Sequence, residues 1–141
     1  MKAKHVFAIV AGIGVMASAQ VLASDHKIPD APKDYQAMKN PLKDAKAVVD
    51  RGQQVYERKC KKCHGDKGDG KGSAADKLET KPASFVAPGY LKGRSDGQLF
   101  FITEKGSANT DMEAFGPGSE TNLSKDDMWS VIAYMRKNFT K

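Results

Sequence analysis

Apolar positions recur at helical spacing in three stretches of the chain. In the last stretch, Met128, Val131 or Ile132, Met135 and Phe139 form one stripe, which Trp129, Ala133 and Arg136 extend. Ser124-Lys125-Asp126-Asp127 precedes it as a capping sequence with an acid at the third helical position. Arg136, Lys137 and Lys141 suit the negative end of that helix. A second stretch opens on Ser95-Asp96-Gly97-Gln98, read as a capping box, carries Leu99, Phe100 and Ile102, and stops near Gly106. The first stretch runs from about Asp44, a candidate N-cap, to Cys60, with Val48, Gly52, Val55 or Tyr56, and Lys59 on one side. Gly52 is the anomaly, since glycine costs about 1 kcal/mol against alanine inside a helix. A close approach of another helix at that point would account for it. No stretch alternates convincingly at strand length, so the pattern predicts an all-α fold.

Three loops separate these helices. Gly65–Gly72 holds four glycines, Pro82–Gly93 carries Phe85 and Tyr90 as apolar anchors, and Ser107–Leu123 carries Met112 and Phe115. The first loop imitates a phosphate loop, but Gly72 stands where Ser or Thr is required and no strand precedes it. Asp66 to Gly70 also lacks the alternating acidic ligands of a calcium loop.

The N-terminal pattern differs. Lys2 and Lys4 precede Val6–Ala19, 14 uncharged residues, and Val21-Leu22-Ala23 offers a small-x-small cleavage site. The run is shorter than the roughly 20 residues needed to span a bilayer, which favours a cleaved signal over a retained anchor. Residues 1–23 are therefore expected to be a signal peptide and the product periplasmic, with no membrane span after cleavage. Residues 24–43 are polar and proline-punctuated. They read equally as an arm lying on the domain or as a disordered terminus. Residues 44–141 form the expected domain.

Charge changes this picture only modestly. The 141 residues carry a formal +6, which falls to +4 when Lys2 and Lys4 are removed. Residues 57–81 hold eight basic and five acidic side chains. There is no long basic run, interleaved aromatic patch or nucleic-acid motif, so a nucleic-acid partner is not expected.

The chemistry lies in Cys60-Lys61-Lys62-Cys63-His64, a C-x-x-C-H sequence containing the only two cysteines. This is the attachment sequence for c-type haem: each thiol bonds one vinyl group, and the adjacent histidine ligates the iron. A thioredoxin-like motif would need a βαβ setting, and a structural zinc site would need four ligands. For the sixth iron position the chain after residue 23 offers His26, Met38, Met112, Met128 and Met135. Met128 and Met135 share a helix face, where methionine usually packs. Met112, in a loop of small and polar residues, is the expected partner of His64 in a His/Met pair.

With these residues in hand, residues 40–139 resemble a class I monohaem cytochrome c. The match runs through Asn40-Pro41, Gly52, Tyr56, Cys60–Gly65, Pro82, Asp96–Phe100, Met112, Trp129 and Tyr134. The resemblance implies that the first and last helices cross at Gly52 and Tyr134 around one covalently bound haem. It also implies that the Pro82 carbonyl accepts the Nδ1 proton of His64, fixing the ring. Related chains commonly place proline after the ligand methionine, where this one has Glu113, so ligand-loop rigidity loses one support. The expected function is one-electron transfer, not enzymatic catalysis, by a monomer whose redox partners present acidic docking faces. Rival readings are a haem protein with a labile sixth ligand that binds small molecules or peroxide, and a relay subunit of a larger oxidoreductase.

Overall fold

The computed structural model describes residues 28–42 and 45–141. The expected signal peptide, His26 and the Asp44 cap lie outside the described residues. Among the described residues five helices follow in order: α1 Lys33–Gln36, α2 Lys46–Lys59, α3 Lys61–His64, α4 Asp96–Lys105 and α5 Lys125–Phe139, with a 3₁₀ turn at Ala75–Lys77. Among the described residues there is no strand, so the fold is all-α. None of these helices is long and apolar enough to cross a membrane.

The dominant packing is α2 against α5. A Cβ built on Gly52 would lie 2.0 Å from the Ser130 carbonyl oxygen and 2.8 Å from Tyr134 Cβ. Only hydrogen fits there, which explains a glycine where helix propensity argues against one. Around this contact α2 buries Val49, Gly52, Val55 and Tyr56. Val49, not Val48, completes the buried face, and Lys59 is exposed. The helix starts at Lys46 after Ala45, without a side-chain cap.

Helix α5 is the centre of the core. Met128, Val131 and Ile132 are buried, and Trp129 stacks on Phe100 of α4 with centroids 4.2 Å apart. Its N-terminus has the full reciprocal capping box between Ser124 and Asp127. Arg51 of α2 bonds Asp127 at 2.9 Å, tying the two helices at their rim. Arg136 reaches across to α4: it pairs with Asp96 at 2.9 Å and donates to the carbonyls of Leu91 and Arg94.

The capping box expected at α4 is only half formed. Ser95 accepts from the Gln98 amide, but the Gln98 side chain turns away. It accepts from the Ala31 amide at 2.7 Å and donates to the Pro29 carbonyl at 2.9 Å. Pro29 and Ala31 are thus hydrogen-bonded to α4. Gly97 permits the approach, since a Cβ there would meet the Tyr35 carbonyl oxygen at 1.6 Å.

Candidate haem site

The C-x-x-C-H sequence forms one helical turn at the end of α2. Cys60 keeps αR backbone angles, and the amides of Cys63 and His64 donate to its carbonyl at 3.2 and 2.9 Å. A turn of this kind places Cys60 and His64 on one face, and Cys63 beside them. Both cysteines are half-buried and unpaired. Burial, helped by the neighbouring Cys63 thiol, pushes the Cys60 pKa up to about 12.

The glycine loop folds back onto this turn. Gly70 and Gly72 donate to the carbonyls of His64 and Cys63 at 2.9 and 3.0 Å, and Ala74 donates to Lys62 at 2.9 Å. Gly72 allows the contact, because a Cβ there would stand 2.2 Å from the Lys62 oxygen. Gly65, at φ +82°, starts the reversal, and its carbonyl accepts from the buried Tyr56 hydroxyl at 2.7 Å. The glycines therefore brace the backbone of the histidine turn.

His64 is buried, stacked on Phe85 with centroids 4.4 Å apart and planes 19° apart. Its Nδ1 lies 3.1 Å from the Ala83 carbonyl oxygen. A carbonyl can only accept, so Nδ1 carries the proton and Nε2 the lone pair. Burial lowers the His64 pKa below its ordinary value, against the opposing pull of the Ala83 bond. A neutral imidazole of this tautomer is suited to ligate a metal through Nε2.

The acceptor is one residue beyond the one expected. Pro82 instead directs its carbonyl toward Gly70, 2.5 Å from where a Cβ would stand. The residue after the proline faces the imidazole because Phe85 donates its amide to Gly68 at 2.7 Å, drawing the 82–85 segment under the glycine loop. Backbone acceptors leave no side-chain signature, so Ala83 was not identifiable from its residue type. The stacking of Phe85 on His64 was likewise hidden behind its reading as a loop anchor.

Met112 comes from a separate loop and is half-buried. Its carbonyl accepts from Ser107 at 2.9 Å and its amide donates to Thr110 Oγ1 at 3.1 Å. Gly106 turns the chain out of α4 at φ +75°, and a Cβ there would lie 2.6 Å from the Met112 oxygen. Past the methionine, Phe115 and Gly116 donate to Thr103 and Glu104 at 3.0 and 3.1 Å. These bonds tie the loop where proline is lacking after Met112. An opening of about 330 Å³, lined by Glu79, Thr80, Asn109, Thr110 and Asp111, separates this loop from the 79–80 segment.

The donor set fits haem c. It has two unpaired thiols with two residues between them, a neutral imidazole of fixed tautomer, and a thioether on a tethered loop. Among the described residues no cluster of three or more His, Cys, Asp or Glu side chains could hold a metal ion instead.

The cytochrome c family profile matches residues 49–138, well over half of the chain. The chain belongs to the cytochrome c family. It is a haem protein, and its cofactor is covalently attached haem c. No curated protein matches it. Among solved structures, it is similar to a chain of the Kuenenia stuttgartiensis reducing HAO-like protein complex Kustc0457/Kustc0458. The TM-score is 0.61 and the identity 24%, over 82% of this chain and 53% of that one. It is also similar to cytochrome cL from Methylophaga aminisulfidivorans, with a TM-score of 0.51 and 22% identity, over 70% of this chain and 60% of that one. At these identities the likeness is one of fold, and the chain spans little more than half the length of either.

Proposed function

We propose that the protein is a periplasmic one-electron shuttle whose haem is attached at Cys60 and Cys63 and ligated by His64 and Met112. The observation that carries this reading is the His64 arrangement. A neutral imidazole, held by Ala83 through Nδ1 and by Phe85 and following two unpaired thiols on one turn, keeps Nε2 for a metal. Haem c supplies reversible one-electron chemistry. The chain's own part is to hold the donor atoms in place, so that little rearranges when the charge changes. On the His64 side this is done by the glycine loop, Tyr56 and Phe85, and on the Met112 side by Thr110, Ser107 and the C-terminal end of α4. A tied methionine loop supports stable ligation over a labile sixth position.

Optical and paramagnetic resonance spectra of the ferric holoprotein test the ligand pair. Wild type should show the signature of methionine sulfur on low-spin iron. Met112→Ala should lose it and lower the reduction potential, because a thioether favours ferrous iron. Survival of the signature in Met112→Ala, with its loss in Met38→Ala, would reassign the ligand.

Redox partners would meet the exposed face of α3 and the glycine loop, where Lys61, Lys62, Lys67 and Lys71 point to solvent and Lys61 pairs with Asp66 at 3.1 Å. Such a face suits acidic partners and raises association rates at low salt. Oxidation of the ferrous protein by anionic hexacyanoferrate(III) should slow as salt rises. Lys62→Glu with Lys67→Glu should slow it at low salt, while a cationic cobalt(III) complex should respond oppositely. Equal responses to both reagents would remove the docking role of this face.

A further inference from the structure

We propose that the N-terminal arm is a clamp on the Met112 loop, and that Tyr35, acting through Glu104, is a positioning residue for the methionine ligand. The proposal rests on Met112 being that ligand.

Residues 29–35 of the arm are fastened to α4. Pro29 and Ala31 bond both ends of the Gln98 amide, and Gln36 closes back onto the Ala31 carbonyl at 2.6 Å. Ala31 is 3% exposed. The Tyr35 backbone lies against Gly97, and its ring meets Phe101 edge-on with centroids 5.1 Å apart. From this position the Tyr35 hydroxyl donates to Glu104.

Glu104 is where the arm reaches the ligand loop. Its carbonyl accepts from the Gly116 amide at 3.1 Å. Its side chain covers Gly116 so closely that a Cβ there would lie 2.4 Å from Glu104 Cγ. Gly116 lies four residues past Met112, within the strap that Phe115 and Gly116 fasten to α4. The Glu104 side chain is only 11% exposed, yet it carries a carboxylate. Two groups make that tolerable: Lys105 Nζ at 3.2 Å and the Tyr35 hydroxyl. Lys105 is exposed, so its share is screened by solvent. Without the phenol the carboxylate is under-satisfied and gains by turning to water. That movement withdraws the side chain from Gly116 and slackens the strap behind Met112. The phenol's proton is held firmly, with the Tyr35 pKa raised to about 12, first by the bond to Glu104 and also by burial and by the charges of Glu104 and Asp34.

The test compares Tyr35→Phe, which keeps the ring packing, with wild type in the ferric holoprotein. Imidazole binding, which must wait for methionine to leave, should accelerate roughly fivefold to tenfold, the size of one ordinary hydrogen bond's net contribution. Hydrogen exchange at the Phe115 and Gly116 amides should accelerate with it, while the Cys63 and His64 amides stay at wild-type rates. Glu104→Gln, whose amide oxygen still accepts from Tyr35, should keep near wild-type imidazole kinetics, and Glu104→Ala should match Tyr35→Phe. Wild-type imidazole rates and exchange in Tyr35→Phe would overturn the clamp. So would equal loosening of both ligand sides, which marks general destabilisation. Met112→Ala separates this from the reading beneath it. If it binds imidazole no faster than wild type, the ligand assignment fails. If it opens the iron at once while Tyr35→Phe behaves as wild type, the clamp alone fails.

Discussion

The His64 turn and the Met112 loop are built in opposite ways. The histidine turn continues a helix that is buried against α5 at Gly52, and the chain immediately after it folds back to bond its carbonyls. Its supports are mostly near in sequence, and the distant ones, Ala83 and Phe85, are brought in by the same glycine loop. The methionine loop has no helix of its own. It holds a few local bonds around Thr110 and is otherwise strapped to the end of α4, whose outer side is in turn covered by the arm. The lesson is that the two proposed ligands of one cofactor can have separate mechanical foundations. One side leans on the α2–α5 crossing and the other on α4.

The largest perturbation should strike the foundation of the histidine side. Gly52→Val forces side-chain atoms into the space of the Ser130 carbonyl, so α2 and α5 must separate. Urea denaturation of the holoprotein should show a loss of about 3 kcal/mol or more, since overpacking against backbone has no easy relief. A neutral result would mean that the crossing does not support the fold as described.

A smaller and local effect belongs to the methionine side. Gly106→Ala puts a side chain at φ +75°, with its Cβ 2.6 Å from the Met112 oxygen. It should cost about 1–2 kcal/mol in global stability. It should accelerate exogenous ligand binding to ferric iron well beyond what that loss alone predicts. If Gly52→Val and Gly106→Ala change ligand binding in proportion to stability alone, the two sides share one foundation and the comparison fails.

The smallest effect lies at the rim of the crossing. Burial works against the Asp127 carboxylate, but hydrogen bonds from Arg51 and Ser124 outweigh it and hold its pKa below the ordinary value. A carboxylate depressed on folding contributes stability above its unfolded pKa and loses it as pH falls through the folded one. Between about pH 6 and about pH 3, wild type should lose up to about 1 kcal/mol more than Asp127→Asn, in line with a helix cap and a rim ion pair. Parallel urea midpoints for the two proteins over that range would dismiss the contribution. Methionine ligation should be the same in both.

Local rules carried much of this into the sequence. Helical spacing and the Ser124 and Ser95 caps located α4 and α5, because periodicity and N-cap chemistry act within a few residues. The C-x-x-C-H turn was legible for the same reason: its chemistry needs contiguous residues. Gly52 advertised a helix contact by being the wrong residue for an isolated helix. Tertiary structure decided the rest. Ala83 became the histidine's acceptor through its backbone, which every residue possesses, so no sequence pattern could distinguish it from Pro82. Gln98 abandoned its capping role for the arm because two backbone groups from residues 29–31 compete for the same amide. The stiffness of the Met112 loop, doubtful without proline, came from bonds to residues 103–104 and from the packing of Glu104 on Gly116. Contacts between separate segments depend on how helices dock, and docking is set by the whole core at once.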